Sequence, residues 1–266
     1  MSAIQYEQSR VARLGLCTVA SLLAVTSLFV VVARAESLSL DNRTLFNEAN
    51  QAYSRNDFGA AAEKYQRIID SGEKSGEVLY NLGNCHFRMG RVGMAKLYYE
   101  RARKFMPRDH NVLGNIALAE SRTVDKISPG KIAAVAQKLC VWHFRLTGRE
   151  ISVIFLAAAA AFWVCLGILV FVRKRFVKTA IALAALLLVL SGSSYALKEI
   201  ERRGLGSAVV IADQAQVRTG PGNYATTFNL HEGAQLKLVE SRDGWYQIHL
   251  ADGKRGWIEQ DKLERI

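Results

Sequence analysis

The stretch Val78-Leu79-Tyr80-Asn81-Leu82-Gly83-Asn84-Cys85-His86-Phe87-Arg88-Met89-Gly90-Arg91-Val92-Gly93-Met94-Ala95-Lys96-Leu97-Tyr98-Tyr99 decides the fold of the first half of this chain. Its residues recur at an interval of 34: Leu45, Leu79 and Leu113 keep that spacing, as do Ala49, Gly83 and Ala117. So do Ala61 and Ala95, Tyr65 and Tyr99, and Phe58 and Val92. Five positions in one register indicate internal duplication of a supersecondary unit. Small residues at 49/83 and 61/95 let paired antiparallel helices approach closely, and Tyr65 and Tyr99 fill the gap to the next repeat. Asn56-Asp57 and Gly90-Arg91 supply tight turns inside each hairpin. Pro107 cannot continue a helix, and Asp109 can cap the next one.

This pattern resembles the tetratricopeptide repeat, and the best copy carries Leu79, Leu82-Gly83, Gly90, Ala95, Tyr99, Ala102 and Pro107. The first copy departs at its end, where Ser71-Gly72-Glu73-Lys74-Ser75-Gly76 follows Asp70 without a proline. The third stops after one helix, because Ser128-Pro129-Gly130 is a strong breaker. The reading is two hairpins plus a capping helix over residues 39–127, with Glu120, Arg122, Asp125 and Lys126 of the cap facing water. The resemblance implies a binding groove along the first helix of each hairpin, lined by Phe46, Asn50 and Tyr53, then by Tyr80, Asn84 and Phe87. Amides can hydrogen-bond an extended backbone, and aromatic rings can hold apolar side chains. The plainer alternative is that these residues pack against the chain between 128 and 150.

The net charge of +11 matters less than its placement. Arg10 and Arg13 precede the apolar run Leu14 to Ala33, which ends Ala33-Arg34-Ala35. That is the layout of a signal peptide over residues 1–35, an uncleaved anchor being the alternative. Two further runs, 151–172 and 179–197, hold no charge, and each is long enough to cross a hydrocarbon core of about 30 Å. The link between them, 173–178, holds Arg173, Lys174, Arg175 and Lys178 and no acid, so the positive-inside rule puts it in the cytoplasm. Regions 36–150 and 198–266 then lie together on the outer, periplasmic side of a bacterial inner membrane, with 128–150 as a juxtamembrane linker. Arg88, Arg91, Lys96, Arg101, Arg103, Lys104 and Arg108 read as a solvated helix surface, not a nucleic-acid face.

From Ala208 short β runs begin, bounded by Gly, Asp and Asn. Val209-Val210-Ile211, Gln235 to Glu240, Trp245 to Leu250 and Gly256-Trp257-Ile258 alternate or extend, and Asp252-Gly253 is a hairpin turn. About five strands in about 60 residues suit a small barrel. The landmarks Val217-Arg218-Thr219-Gly220-Pro221-Gly222, Glu232-Gly233, Gly244-Trp245-Tyr246 and Gly253-Lys254 with Gly256-Trp257-Ile258 resemble the bacterial SH3 domain over 207–266. The resemblance implies binding of cell-wall peptides or protein partners. A barrel this small has room for only one of Trp245 and Trp257 inside, so both are surface candidates.

The fold class is thus a multidomain membrane protein: an α-helical tetratricopeptide array, two transmembrane helices and an all-β SH3-like barrel. No catalytic site is expected. None of His86, His110, His143, His231 and His249 pairs with a nucleophile at a recognisable spacing, and no phosphate-binding glycine loop is present. Cys17, Cys85, Cys140 and Cys165 are scattered, with no metal-ligand spacing, so neither a metal nor a cofactor is called for. Cys85 and Cys140 are read as two buried free thiols, a bridge between them being possible in an oxidising compartment.

The order of signal, repeats, two membrane helices and SH3-like barrel is similar to the BatE-type proteins of the Bat (Bacteroides aerotolerance) group, as is the stretch Asn115 to Ile127. That resemblance implies von Willebrand-type protein partners in the same membrane, a MoxR-type ATPase inside the cell, and a role in envelope or oxidative-stress tolerance. A scaffold is the expected function. The alternative is a peptidoglycan-binding protein that positions a hydrolase. Reporter fusions at Gly130 and Gly206 are expected to give a periplasmic signal at both sites, and a cytoplasmic signal at either refutes this topology.

Overall fold

The computed structural model describes residues 40–127, 140–171 and 175–266, with Val135 and Lys138 between the first two. The signal peptide expected over 1–35 and most of the expected linker lie outside these residues. The chain forms two compact units, one of Ser37–Thr147 with Glu201–Ile266, the other including Gly148–Ile200.

In the first unit, two helical hairpins and a fifth helix stack in chain order: α1 Leu40–Ser54, α2 Phe58–Asp70, α3 Gly76–Arg88, α4 Val92–Arg103 and α5 His110–Arg122. Local chemistry sets their limits. Asp57, Ser75 and Asp109 cap α2, α3 and α5 by accepting from backbone N–H groups of the first turn. Asn56 (φ 61°) and Gly90 (φ 80°) take the left-handed conformation that reverses the chain inside each hairpin. The 34-residue register is a burial register: Ala49, Ala61, Ala95, Tyr65 and Tyr99 are all 0–1% exposed. At Gly83, a Cβ atom would lie 2.6 Å from the Tyr99 ring and 3.3 Å from the Ala95 carbonyl oxygen, so the helices of the second hairpin cross there with the Tyr99 ring packed directly on the Gly83 backbone. Tyr99 therefore fills its own hairpin's crossing.

The same unit ends in a seven-stranded antiparallel sheet: β1 Ser207–Val210, β2 Gln214–Arg218, β3 Thr226–His231, β4 Gln235–Arg242, β5 Trp245–His249, β6 Arg255–Glu259 and β7 Leu263–Arg265. The spatial order is β3-β2-β6-β5-β4-β1-β7. Alternating inward residues, including Ala215, Val217, Leu230, Leu236, Leu238, Ile248, Ile258 and Leu263, form its core. The sequence suggests about five strands. The strands that no sequence run marks are β2, where only Ala215 and Val217 are buried, β3, where only Leu230 is, and the three-residue β7 against β1, too short to show a period.

The second unit contains α7 Gly148–Phe171 and α8 Arg175–Arg203 up to Ile200, a short α6 at Val141–Arg145 preceding it in the first. Both helices run past the uncharged segments into charged ends. Each is long and apolar enough to cross a membrane, with mean hydropathy 2.5 and 2.0. Only 11% and 17% of their apolar windows is buried, which sets them apart from core helices of a soluble domain. Within the unit, Phe155 stacks on Tyr195 and lies 3.2 Å from where Gly192 would carry a Cβ.

Gly83→Leu is expected to overpack the α3–α4 crossing and destabilise the array by about 1–3 kcal/mol. Thermal unfolding of the purified chain checks this, and an unchanged helical transition would place the crossing elsewhere.

Candidate functional site

The six groove residues read from the sequence occupy equivalent places on α1 and α3. They are tied into the array more tightly than an open groove requires. The Tyr65 hydroxyl donates to Asn50 Oδ1 at 2.5 Å, and the Tyr99 hydroxyl to Asn84 Oδ1 at 2.9 Å. Asn115 of α5 donates to Asn84 Oδ1 at 2.9 Å and to the Tyr80 hydroxyl at 3.1 Å. Burial raises the pKa of both Tyr65 and Tyr99, so each stays a hydrogen-bond donor. Phe46 packs edge-on against Tyr65, Tyr53 against Phe58, and Tyr80 lies tilted on Tyr99. The Arg122 guanidinium covers Phe87 at 4.5 Å. Asn50 is exposed, and the other five are half-buried. The asparagine carbonyls are thus spent on tyrosines, which leaves their amide N–H groups as the donors suited to a bound chain. The third copy breaks the ladder, with Gly114, Leu118 and Ser121 at the matching positions.

On the barrel, Trp257 is 8% exposed and is not a surface residue, contrary to the sequence reading. β6 is an interior strand, paired through Trp257 with Arg218 on one side and Gln247 on the other, and the Arg242 guanidinium lies 5.6 Å over the indole. Trp245 is half-buried, with Arg218 5.0 Å over its ring, and Tyr224 is 60% exposed. Aromatic faces and guanidinium groups therefore share one outer face of the sheet, opposite the face that Ile248 and Ile258 turn to the core.

The contact between array and barrel was not anticipated. Gly93, in the first turn of α4, donates its N–H to Glu232 Oε1 at 2.6 Å. A Cβ there would lie 2.5 Å from Glu232 Cγ, 2.8 Å from the Val210 carbonyl and 3.0 Å from the Gly233 nitrogen. Gly233 (φ 84°) in turn has space only for hydrogen against Thr123. Asp125, expected to face water, accepts the His231 N–H at 2.6 Å and meets its Nδ1 at 3.2 Å. Arg101 bonds Glu264 and the Arg265 carbonyl, and Lys104 the Ile266 carbonyl. The cation row along α4 is therefore not simply a solvated surface: Lys96 is 5% exposed, paired with Glu120 at 3.3 Å. Glu100 is 3% exposed and bonded to Arg103 at 2.6 Å, and burial raises its carboxyl above the usual range. A charge row looks alike whether water or another domain covers it. The one local sign was Gly93 itself, a poor helix former inside an otherwise regular helix.

A polar cleft of about 780 Å³ opens beside this contact, lined by Lys96, Glu100, Arg103, Lys237 and His249 among others. A smaller one of about 340 Å³ lies among α2, α3 and α4, lined by His86, Met89, Met94 and Tyr98 among others. Cys85 is fully buried and Cys140 partly so, and both are free thiols. Burial pushes the Cys85 thiol up to about 12, so it is held protonated.

Residues 76–109 match the tetratricopeptide repeat family, and residues 213–264 match the bacterial SH3 domain family. The chain is also 35% identical over 54 residues, in the barrel region, to YrvJ of Bacillus subtilis (strain 168), whose name is that of an N-acetylmuramoyl-L-alanine amidase. That match covers 20% of this chain and 10% of YrvJ.

Gly93→Leu is expected to part the barrel from α4 while leaving both folded. Amide hydrogen exchange should then accelerate at His231, whose N–H is held by Asp125, and stay slow at Val217 in the barrel core. Unchanged exchange at His231 refutes the predicted separation.

Proposed function

We propose that this chain is a non-catalytic, membrane-anchored adaptor. It holds protein partners through the array groove, and its barrel offers the Trp245–Arg218–Arg242 face as a second contact. The observation that carries this reading is the joining of two recognition modules in one unit, in a chain that also holds two helices able to cross a membrane. Half-buried aromatics flanked by amide donors suit an extended segment, anchored by side chains and read along its backbone. Segments that touch, as Gly93 and Glu232 do, must share one side of any membrane that α7 and α8 cross, which agrees with the acid-free cytoplasmic link. The proposed place is the periplasmic face of a bacterial inner membrane. The proposed setting is a Bat-type envelope or stress-tolerance complex with von Willebrand-type partners, on the strength of the domain order.

A second reading, attachment to peptidoglycan to position a hydrolase, draws on the YrvJ match in the barrel region. The two separate by experiment. Tyr53→Ala with Phe87→Ala is expected to weaken partner capture in membrane crosslinking about thirtyfold, the equivalent of about 2 kcal/mol, without unfolding the array. Equal recovery from the folded double variant refutes the groove. If Trp245→Ala instead abolishes sedimentation of the chain with purified peptidoglycan, the cell-wall reading takes its place.

A further inference from the structure

We infer that the array groove selects acidic segments, with Arg88 and Arg122 taking up their carboxylate side chains. The inference rests on the groove proposed above and names the chemistry of its occupant. The two arginines stand 34 positions apart, at the same place in successive copies, each in the last turn of its helix. Both are exposed. The Arg88 guanidinium lies 4.4 Å over the Phe58 ring, and Phe58 meets Tyr53 edge-on at 5.2 Å. The Arg122 guanidinium lies 4.5 Å over Phe87. Tyr53 and Phe87, the aromatic anchors at this end of the groove, thus each belong to a cluster that includes an arginine.

Neither arginine is paired with an acid among the described residues; Arg88 has one long contact, to Asn56 Oδ1 at 3.5 Å. Other cations of the array are committed: Lys64 to Glu48, Lys96 to Glu120, Arg101 to Glu264 and Arg103 to Glu100. A guanidinium laid flat on a ring keeps its in-plane N–H groups at the edge, where they match a carboxylate two at a time. Stacking also orders the fork before a ligand arrives, which lowers the cost of binding. The amide N–H groups of Asn50 and Asn84 add donors on the same helices, their oxygens being held by Tyr65 and Tyr99. Glu77 sits in the first turn of α3, roughly 16 Å from Arg88 along the axis at 1.5 Å per residue. This end of the groove therefore presents donors and positive charge, and its complement is a segment rich in carboxylates. Arginine in a last turn also offsets the helix dipole. That role requires no ring beneath it and gives no preference among ligands.

The test uses fluorescent peptides of Glu-Leu-Ser repeats, both ends blocked so that only side chains carry charge, with Glu replaced by Gln or by Lys in parallel. Anisotropy with the detergent-purified full chain is expected to show the Glu peptide bound at least about tenfold more tightly than either, the margin shrinking as salt is added. Arg88→Gln with Arg122→Gln is expected to erase the margin and leave the Gln peptide's affinity unchanged. Arg67→Gln with Arg91→Gln removes the same charge from exposed positions outside the groove and is expected to preserve the margin. Equal binding of the Glu and Gln peptides by the wild type, or an unchanged margin in the folded Arg88/Arg122 variant, overturns the inference. The groove itself still stands in that event if Tyr53→Ala with Phe87→Ala abolishes peptide binding. No binding of any of the three peptides overturns the inference together with the groove it rests on.

Discussion

A hydrogen atom where a side chain would be, at Gly93, is the constraint on which the first unit depends. It lets the backbone of α4 reach the Glu232-Gly233 turn closely enough for the Gly93 N–H to meet Glu232 at 2.6 Å. Around that point, Asp125 binds His231, Arg101 binds Glu264, and Gly233 accommodates Thr123. These contacts are individually modest and partly exposed to water, where ion pairs contribute about 0–1 kcal/mol. Their strength lies in steric fit: two positions tolerate no Cβ, so the approach of the two modules is fixed by shape before charge.

The repeat architecture was legible because duplication exposes its own rules. Ala49, Gly83, Ala61 and Ala95 are small for the same reason in both copies, and Asn56 and Gly90 turn the chain at the same place. The barrel core was legible through alternation at Leu236, Leu238, Ile248 and Leu250. What escaped was everything that depends on long-range partners. Trp257 looked like a surface ring because nothing local says that Arg242 covers it. Asp125 looked solvated because a charged side chain carries no local sign of His231, 106 positions away, and Lys96 because its pairing with Glu120 depends on how α4 and α5 pack. Asn50 and Asn84 take equivalent places on α1 and α3, as the 34-residue interval implies, but their commitment to Tyr65 and Tyr99 follows from hairpin geometry that a linear pattern does not contain.

The third copy shows the cost of an unfinished repeat. Leu79 is 7% exposed, whereas its counterpart Leu113 is 39% exposed and Leu118 is 44% exposed. The Ser128-Pro129-Gly130 breaker read from the sequence follows directly after this copy. The barrel instead meets the end of this copy at Thr123 and Asp125, and Ile127 joins the barrel core. Another domain therefore packs on the last turn of the array, where a solenoid ordinarily presents a polar terminal helix to water.

The contact at Gly93 joins residues 139 positions apart, and α7 and α8 lie between them. The array emerges first during synthesis, but this docking must wait for the last quarter of the chain. A barrel delivered to the wrong side of a membrane could never reach α4. Docking is thus sensitive to what lies between: the Val210, Gly233 and Lys96 environments close over only where array and barrel share one side of any membrane that α7 and α8 cross. With the two apart, the carbonyls of Arg265 and Ile266 would be without their Arg101 and Lys104 partners, and the chain's end would hang free of the array.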